Sequence, residues 1–554
     1  MADSHRHEQV KTQRQQSVAA ILDSESRHKI VVAGPGTGKT YLFKEMLKGK
    51  TNTLTLTFVN ALVEDLSLEL YGTSEVRTLH SYARAELGKF ASTSIKVFPK
   101  LPQIVKEDAK LLLDRDIDFD FIFNNRDDEN ADIGFYKRRK DYYDKHYGYS
   151  DVIFGIVKQF EKTPDKVPSY QQVVVDEFQD FNKLEVSLIE HLSARSPVLL
   201  AGDDDQALYA FKSASPEHIR HKYGSGCPAY AAFNLPFCSR CTRVIVEATN
   251  DIVAGALKIG LLVGRINKPY MYFDSPQKDH ESDINPKLAY SQVFASQLPW
   301  FIEQRIMEIA TDEKGAFTVL VISPTTSQVR ALARGLRKKG FNKVDFVERP
   351  SGQEPSLLDG LKLLLENKAF NLGWRIVAKH MLKPEDFVSL VKESNEDGAK
   401  PLAECIDGDI KKKVDQLLSI CRKARDERDI DKDALIEAMK RLDLDPHEIL
   451  TDSLRDEVIS SGMRGGDPAL RRIPFTMTTV QSSKGLAADY VFITHFDDQY
   501  FVKDKDKSNI ADQDVCNLLV AMTRARKKLY LLSTSTAKEP TYMSWIDANR
   551  IERI

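Results

Sequence analysis

The segment Ile30-Val31-Val32-Ala33-Gly34-Pro35-Gly36-Thr37-Gly38-Lys39-Thr40 constrains this chain more than any other. A short apolar run reads as a strand and breaks into a glycine loop. Leu42, Phe43, Met46 and Leu47 then recur at helical spacing. Strand, glycine loop, helix is an order that wraps backbone around phosphates, because glycine permits close approach and the first N–H groups of the helix face the anion. In that reading Ala33, Gly34, Pro35, Gly36, Thr37 and Gly38 form the cradle. Lys39 offers a point charge to the β- and γ-phosphates, and the Thr40 hydroxyl is a Mg²⁺ ligand. Ala33 stands where glycine is usual.

A metal and a water need a second group of residues. Val173-Val174-Val175 reads as a buried strand ending in Asp176-Glu177. At the C-terminal end of a strand Asp176 can hold Mg²⁺ and Glu177 can polarise an attacking water. With the glycine loop, the pair reads as a site of nucleoside triphosphate hydrolysis.

Apolar runs also recur at 53–58, 198–201, 319–322, 490–493 and 529–532, separated by helical patterns, which is doubly wound α/β logic. The 554 residues imply several domains. Hydrophobic residues make up 42% and charged residues 29%, which excludes a disordered or collagen-like chain. The net charge is −2, so a nucleic-acid surface must be a local groove. Six cysteines form no disulfide framework, the polar start Met1–Arg14 is no secretory signal, and no apolar run reaches membrane-spanning length. A cytoplasmic protein without membrane contact is expected.

Asp176-Glu177-Phe178-Gln179-Asp180 followed by Gly202-Asp203-Asp204-Asp205-Gln206-Ala207-Leu208-Tyr209 is a rarer combination. It resembles the UvrD/Rep-type superfamily 1 DNA helicases, and further motifs follow in that family's order. Thr12-Gln13-Arg14-Gln15 resembles the adenine-reading segment, with Gln15 in the glutamine role. Thr57-Phe58-Val59-Asn60 and Thr78-Leu79-His80-Ser81 resemble the first two DNA-contacting motifs. Leu235-Pro236-Phe237-Cys238-Ser239-Arg240 retains the motif arginine. Thr479 to Leu486, with Gln481 and Gly485, resembles the fifth motif, and Val520 to Arg526, with Arg524, the sixth. Departures are Ala61 for a lysine, Phe211 where tryptophan is frequent, Gln481 for a histidine, Ala487 for a glutamate, and Asp514-Val515-Cys516-Asn517 before the sixth motif.

The resemblance implies two RecA-like P-loop domains with doubly wound parallel sheets, each carrying a mainly helical insertion. The first core is expected at 1–95 and 166–227, with an insertion at 96–165. The second is expected at 228–358 and 471–554, with an insertion at 359–470. In the first insertion, Phe135 to Tyr143 interleaves cations with aromatics, a pattern suited either to single-strand contact or to a helix whose tyrosines pack inward. In the second, Leu361, Leu363, Leu364 and Leu365 make an apolar face. The mixed charges of 410–440 read as a solvated helical face, with DNA or partner binding as the alternative.

The resemblance further implies an ATP- and Mg²⁺-dependent motor on single-stranded DNA or DNA with a single-stranded tail, moving 3′→5′, of the kind used in DNA repair. Catalysis falls to Lys39, Asp176, Glu177, Gln206, Arg240 and Arg524, the two arginines arriving from the second core. DNA contact falls to Phe58, Asn60, His80, Tyr209, Phe211, Thr479 and Gln481. The alternative is a DNA-stimulated ATPase subunit working beside a partner nuclease, for example in phage defence. His218, His221, Cys227, Cys238 and Cys241 have metal-like spacing, but zinc there would compete with Arg240.

Overall fold

The computed structural model describes residues 2–554 except 58–59, 225–228, 314, 340, 342–343, 348–353, 396–399, 427–436, 439, 442–472, 503–509 and 536–537. The chain divides into two compact units. One comprises residues 1–82, 160–349 and 464–554, and the other 83–159 and 350–463.

The first unit holds two parallel sheets. The strands of one are β1 (His28–Ala33), β2 (Thr53–Thr57), β3 (Glu75–Thr78), β4 (Gln172–Val175), β5 (Val198–Gly202) and β6 (Ala231–Leu235), in the order β3-β2-β4-β5-β1-β6. A short ladder joins β7 (Phe237–Cys238) to β8 (Met271–Tyr272). The second sheet contains β9 (Leu288–Gln292), β10 (Val319–Ser323), β11 (Val344–Val347), β12 (Phe475–Thr479), β13 (Ala488–Thr494), β14 (Ala525–Ser533) and β15 (Ile551–Arg553), in the order β11-β12-β10-β13-β14-β9-β15.

Both sheets follow from apolar residues that must be covered on two faces. In the second sheet Val319, Val321, Met477 and Phe492 pack with the helices Leu298–Asp312 and Thr326–Lys338. Their neighbours Leu320, Ile322, Val491 and Ile493 pack with Arg243–Lys258 and Asp512–Met522 on the other face. That period of two is the pleat of a strand. In the first sheet Val31, Ala33, Val174 and Leu199 pack with Ile21 of helix α1 (Ala2–Leu22) and with Leu42 and Phe43 of α2 (Lys39–Leu47).

The expected doubly wound architecture is present, and every expected apolar run lies in a strand, residue 58 at the end of one run lying outside the described residues. Strands β3, β6, β7, β8, β9, β11, β12 and β15 are not marked by apolar runs. β3 is Glu75-Val76-Arg77-Thr78 at a sheet edge, and β12 alternates threonine with phenylalanine and methionine.

The two insertions form the second unit together. It begins at residue 83, inside the helix Leu79–Ala91, and its segments end at 159 and 463 instead of the expected 165 and 470. Its centre is the fully buried Asp108. One carboxylate oxygen accepts from Arg139 Nε at 2.9 Å, Arg139 Nη2 at 2.6 Å and the Tyr143 hydroxyl at 2.6 Å. The other accepts from Arg375 Nε at 3.0 Å and Nη2 at 2.8 Å. A buried carboxylate needs such pairing, since removing one partner typically costs about 3–5 kcal/mol. Of the two readings of Phe135 to Tyr143, the burial pattern favours the helix whose tyrosines pack inward. Phe135, Tyr136 and Tyr143 are core side chains and Arg139 is buried, leaving Lys137 and Arg138 exposed. Of the charged segment 410–440, the helix Gly408–Asp426 is described, while 427–436 and 439 lie outside the described residues.

Candidate active site

Strands β4, β5 and β1 are neighbours, so their C-terminal ends bring Asp176-Glu177, Asp203 and the glycine loop together. Gly36 and Gly38 adopt φ of 71° and 98°. A Cβ on Gly36 would lie 2.3 Å from Arg240 Cβ, so this glycine lets the second core approach. Gly38 precedes α2 without a side-chain cap, which leaves the first-turn N–H groups open to an anion. The Thr37 hydroxyl donates to the Gly34 carbonyl at 2.9 Å. The resulting cleft of about 360 Å³ is lined by Gly36 to Thr40 on one side and by Ser239, Arg240, Lys278 and Arg526 on the other.

Lys39 Nζ lies 3.2 Å from Glu177 Oε1 and 3.7 Å from Asp176 Oδ1. Burial works against its charge, but Glu177, Asp176 and Asp203 outweigh it and hold the ammonium protonated. Burial pushes the Asp176 carboxyl up to about 6, with Lys39 opposing and Glu177 adding. Burial would also raise Glu177, but Lys39, Lys484 and a 2.7 Å hydrogen bond from Gln179 Nε2 hold it well below the usual carboxylate range. Glu177 has a left-handed backbone, φ 55°, a conformation costing about 1–3 kcal/mol and kept where surrounding contacts fix it.

Two contacts tie this carboxylate group to the second core. Lys484, buried between β12 and β13, pairs with Asp180, lies 3.3 Å from Glu177 Oε2 and donates to the Gln206 carbonyl at 2.9 Å. Arg524 Nη2 donates to Gln206 Oε1 at 3.3 Å, and Gln206 Nε2 donates to Asp203 at 2.8 Å. Burial lowers the Arg524 guanidinium to about 10, with Arg240 adding, so it remains charged at neutral pH.

Residues 15–212 match the family model of an AAA domain, and residues 369–536 that of the UvrD-like helicase C-terminal domain. The chain belongs to the UvrD/Rep-like superfamily 1 helicases. It is 25% identical over 278 residues to DNA helicase II of Haemophilus influenzae, covering 41% of this chain and 38% of that protein. It is 28% identical over 110 residues to the ATP-dependent DNA helicase PcrA of Staphylococcus aureus, covering 19% of this chain and 15% of that protein. The chain thus spans well under half the length of these relatives.

In this UvrD/Rep-like chain the other expected residues fall into three groups. Gly485, with φ 93°, lies beside Lys484 in the loop between β12 and β13, and Arg240 lines the cleft. Gln15 is exposed on α1, whereas the adjacent Arg14 lies over the Phe273 ring at 4.7 Å and places Nη2 3.0 Å from where a Gly38 Cβ would be. Phe58 lies outside the described residues, and Asn60 starts the helix Asn60–Glu69.

Among the residues expected to contact DNA, Phe211 is 63% exposed. Burial lowers His80 to about 4, with Lys212 adding, so its ring is neutral at pH 7. Thr479 ends β12, and the Gln481 carbonyl accepts the Tyr209 hydroxyl at 3.2 Å. The stacking role expected of Tyr209 falls on a residue that is 3% exposed and packs in the core cluster.

The zinc arrangement is not formed by the described residues. Cys238 and Cys241 are free, and Cys227 lies outside the described residues. Among the described residues the metal-type cluster is Asp203-Asp204-Asp205, and cations already fill it. Lys268 Nζ lies 2.7 Å from Asp203 and 2.9 Å from Asp205 and also pairs with Asp204. Arg265 pairs with Asp205 at 2.8 Å and Arg220 with Asp204 at 3.1 Å.

Sequence reasoning gave no role to Lys484, Lys268, Lys278 or Arg14. Three consecutive aspartates beside a buried strand were the available signal for Lys268, because buried carboxylates require cations. Among the described residues no helix is long and apolar enough to cross a membrane.

Proposed function

We propose that this chain hydrolyses ATP in the cleft between its two sheets and uses the cycle to move 3′→5′ along single-stranded DNA and unwind duplex ahead of it. The observation carrying this reading is the pair of cross-core ties, Lys484 to Glu177 and Arg524 to Gln206, at the mouth of a phosphate loop. Residues that complete the site only when two cores meet couple chemistry to their relative motion.

Lys39 and the open N–H groups of α2 bind the phosphates. An incoming phosphate competes with Glu177 for Lys39, which frees Glu177 Oε1 to orient and deprotonate water. Oε2 remains held by Gln179. Arg240 and Arg524 neutralise charge on the transferred phosphoryl group. The hydroxyl of Thr40 and the carboxylate of Asp176 are hard oxygen donors that fit Mg²⁺, and the raised Asp176 is a group that a divalent cation returns to its charged form. When bound, Mg²⁺ supplies charge neutralisation of the phosphate oxygens.

On the DNA side Phe211 is the exposed ring available for stacking, worth about 1–3 kcal/mol per base. ATPase rates measured with single-stranded DNA, duplex and RNA test the substrate class. Stimulation by RNA alone would overturn it. A forked-duplex assay run beside a single-strand translocation assay tests unwinding: movement without strand separation favours a motor subunit that needs a partner such as a nuclease.

A further inference from the structure

Residues Arg265 to Tyr270 follow the helix Arg243–Lys258 and lead into β8. This one segment reaches the ends of two strands of the first sheet. The Tyr270 hydroxyl donates to the carbonyl of Pro35, in the phosphate loop after β1, at 3.0 Å. Lys268 enters the triple-aspartate turn after β5, where its buried ammonium pairs with Asp203, Asp204 and Asp205. The Ile266 N–H donates to Asp204 Oδ2 at 2.8 Å.

The aspartates of that turn are not equivalent. Arg220 pairs with Asp204 and Arg265 with Asp205, whereas Lys268 is the cation paired with Asp203. Asp203 also faces the hydrolysis residues. Its Oδ1 lies 2.7 Å from Lys268 Nζ, and its Oδ2 accepts from Gln206 Nε2 at 2.8 Å. The other end of that amide, Oε1, accepts from Arg524 Nη2 at 3.3 Å. An amide has a donor end and an acceptor end, and a guanidinium only donates. Turned round, Gln206 would set its NH₂ against Arg524 and its oxygen against a carboxylate. A charged Asp203 therefore selects the sense of the amide. Burial works against that charge, and Lys268 outweighs it, holding Asp203 below the ordinary carboxylate range. A second arm leaves the same residue: the Asp203 N–H donates to Gln179 Oε1 at 3.0 Å, and Gln179 Nε2 donates to Glu177 Oε2 at 2.7 Å.

We propose that Lys268 is a positioning residue for ATP hydrolysis: by fixing Asp203 it sets the Gln206 amide and, through it, the place of Arg524. This inference rests on the ATP-cleft reading. The partners of Lys268 are aspartates not assigned to the nucleotide, so its effect falls on kcat and not on KM. Lys268 and Asp203 come from different cores, so the amide is set when the cores meet.

The test measures kcat and KM for ATP in the full-length protein with saturating single-stranded DNA. Lys268→Met should lower kcat by about 10–100-fold, the scale on which a misplaced group acts, with KM changed by less than about threefold. Arg265→Met removes a cation from the same cluster and leaves the Asp203 pair intact. It should lower Tm comparably and keep kcat within about threefold. In a Gln206→Ala background, followed by single-turnover hydrolysis, Lys268→Met should cost less than about a further twofold, because the relay is already cut. A merely structural cation would act in full on either background. Unchanged kcat in Lys268→Met, an equal kcat loss in Arg265→Met, or losses that multiply with Gln206→Ala would overturn the proposal. Where Lys268→Met does not fold, Lys268→Met with Asp204→Asn removes one charge of each sign and still leaves Asp203 without its cation. Compared with Asp204→Asn alone, it is held to the same outcomes. A parental protein with no ATPase under any condition defeats the functional reading, and this inference with it. With an active parent, the outcomes above bear on Lys268 alone.

Discussion

Arg524 of the second core places Nη2 3.3 Å from Oε1 of Gln206 in the first, and the same glutamine donates to Asp203 beside the phosphate loop. A cation is thus registered against the hydrolysis site through a neutral amide. Arg524→Ala should lower kcat by about 10³–10⁵, the scale of an arginine finger. DNA binding without nucleotide should survive, as fluorescence anisotropy would show. A variant that lost DNA binding and kept its ATPase would remove Arg524 from the cleft.

Lys39→Ala and Glu177→Gln should both stop turnover, for different reasons. Lys39→Ala removes a phosphate contact and should weaken nucleotide binding in a direct titration. Glu177→Gln should bind ATP and lose the chemical step. Near-parental hydrolysis by Glu177→Gln would exclude it as the base.

Asp176 gives the site a pH dependence. Its carboxyl rises from an ordinary 3.8 to about 6 in the folded chain, so the folded state binds this proton more tightly than the unfolded state. Stability through this group therefore falls as pH rises between those values, and Mg²⁺ with nucleotide offsets the loss. The rise in Tm on adding magnesium and a non-hydrolysable analogue should be larger at pH 7 than at pH 5. An equal rise at both, measured by calorimetry, would mean that Asp176 does not meet the metal.

Phe211→Ala should leave Tm almost unchanged while reducing DNA-stimulated turnover, because the ring is 63% exposed. Tyr209→Ala should do the opposite in a melt. Emptying a buried aromatic site costs about 3–5 kcal/mol, so the midpoint should drop by several degrees.

Ala487 stands where the related family carries a glutamate that contacts the ribose, so discrimination between ATP and dATP should be weak. Asp489 is anchored elsewhere, its Oδ2 accepting from the Thr318 N–H and hydroxyl at 2.9 Å each. The ratio of kcat/KM for the two nucleotides should lie within about tenfold, or 1.4 kcal/mol. Asp489→Ala should leave it unchanged.

The strands that deliver the chemistry were legible because they are short, wholly apolar runs ending in Gly34, Asp176 or Gly202. Local spacing also fixed Lys39 and Glu177. Lys484 was not legible in the same way: its partner Asp180 is 304 positions away, and only the meeting of the two cores creates the pair. Tyr209 and Phe211 show the opposite difficulty. They are two residues apart and chemically alike, yet one ring enters the core and the other faces solvent. Helical amphipathicity predicts neither outcome for a short 3₁₀ turn such as Ala210–Lys212.

The carboxylate of Asp108 has a consequence for how the polypeptide is made. It shares its two oxygens between Arg139, a neighbour in the first insertion, and Arg375, which is 267 positions further on. At about 5–20 residues per second, a ribosome delivers Arg375 roughly 13–50 s after Asp108. Through that interval the first insertion waits with half of its central ion cluster absent. The helical unit thus closes late in synthesis, after the strands through β11 have been made.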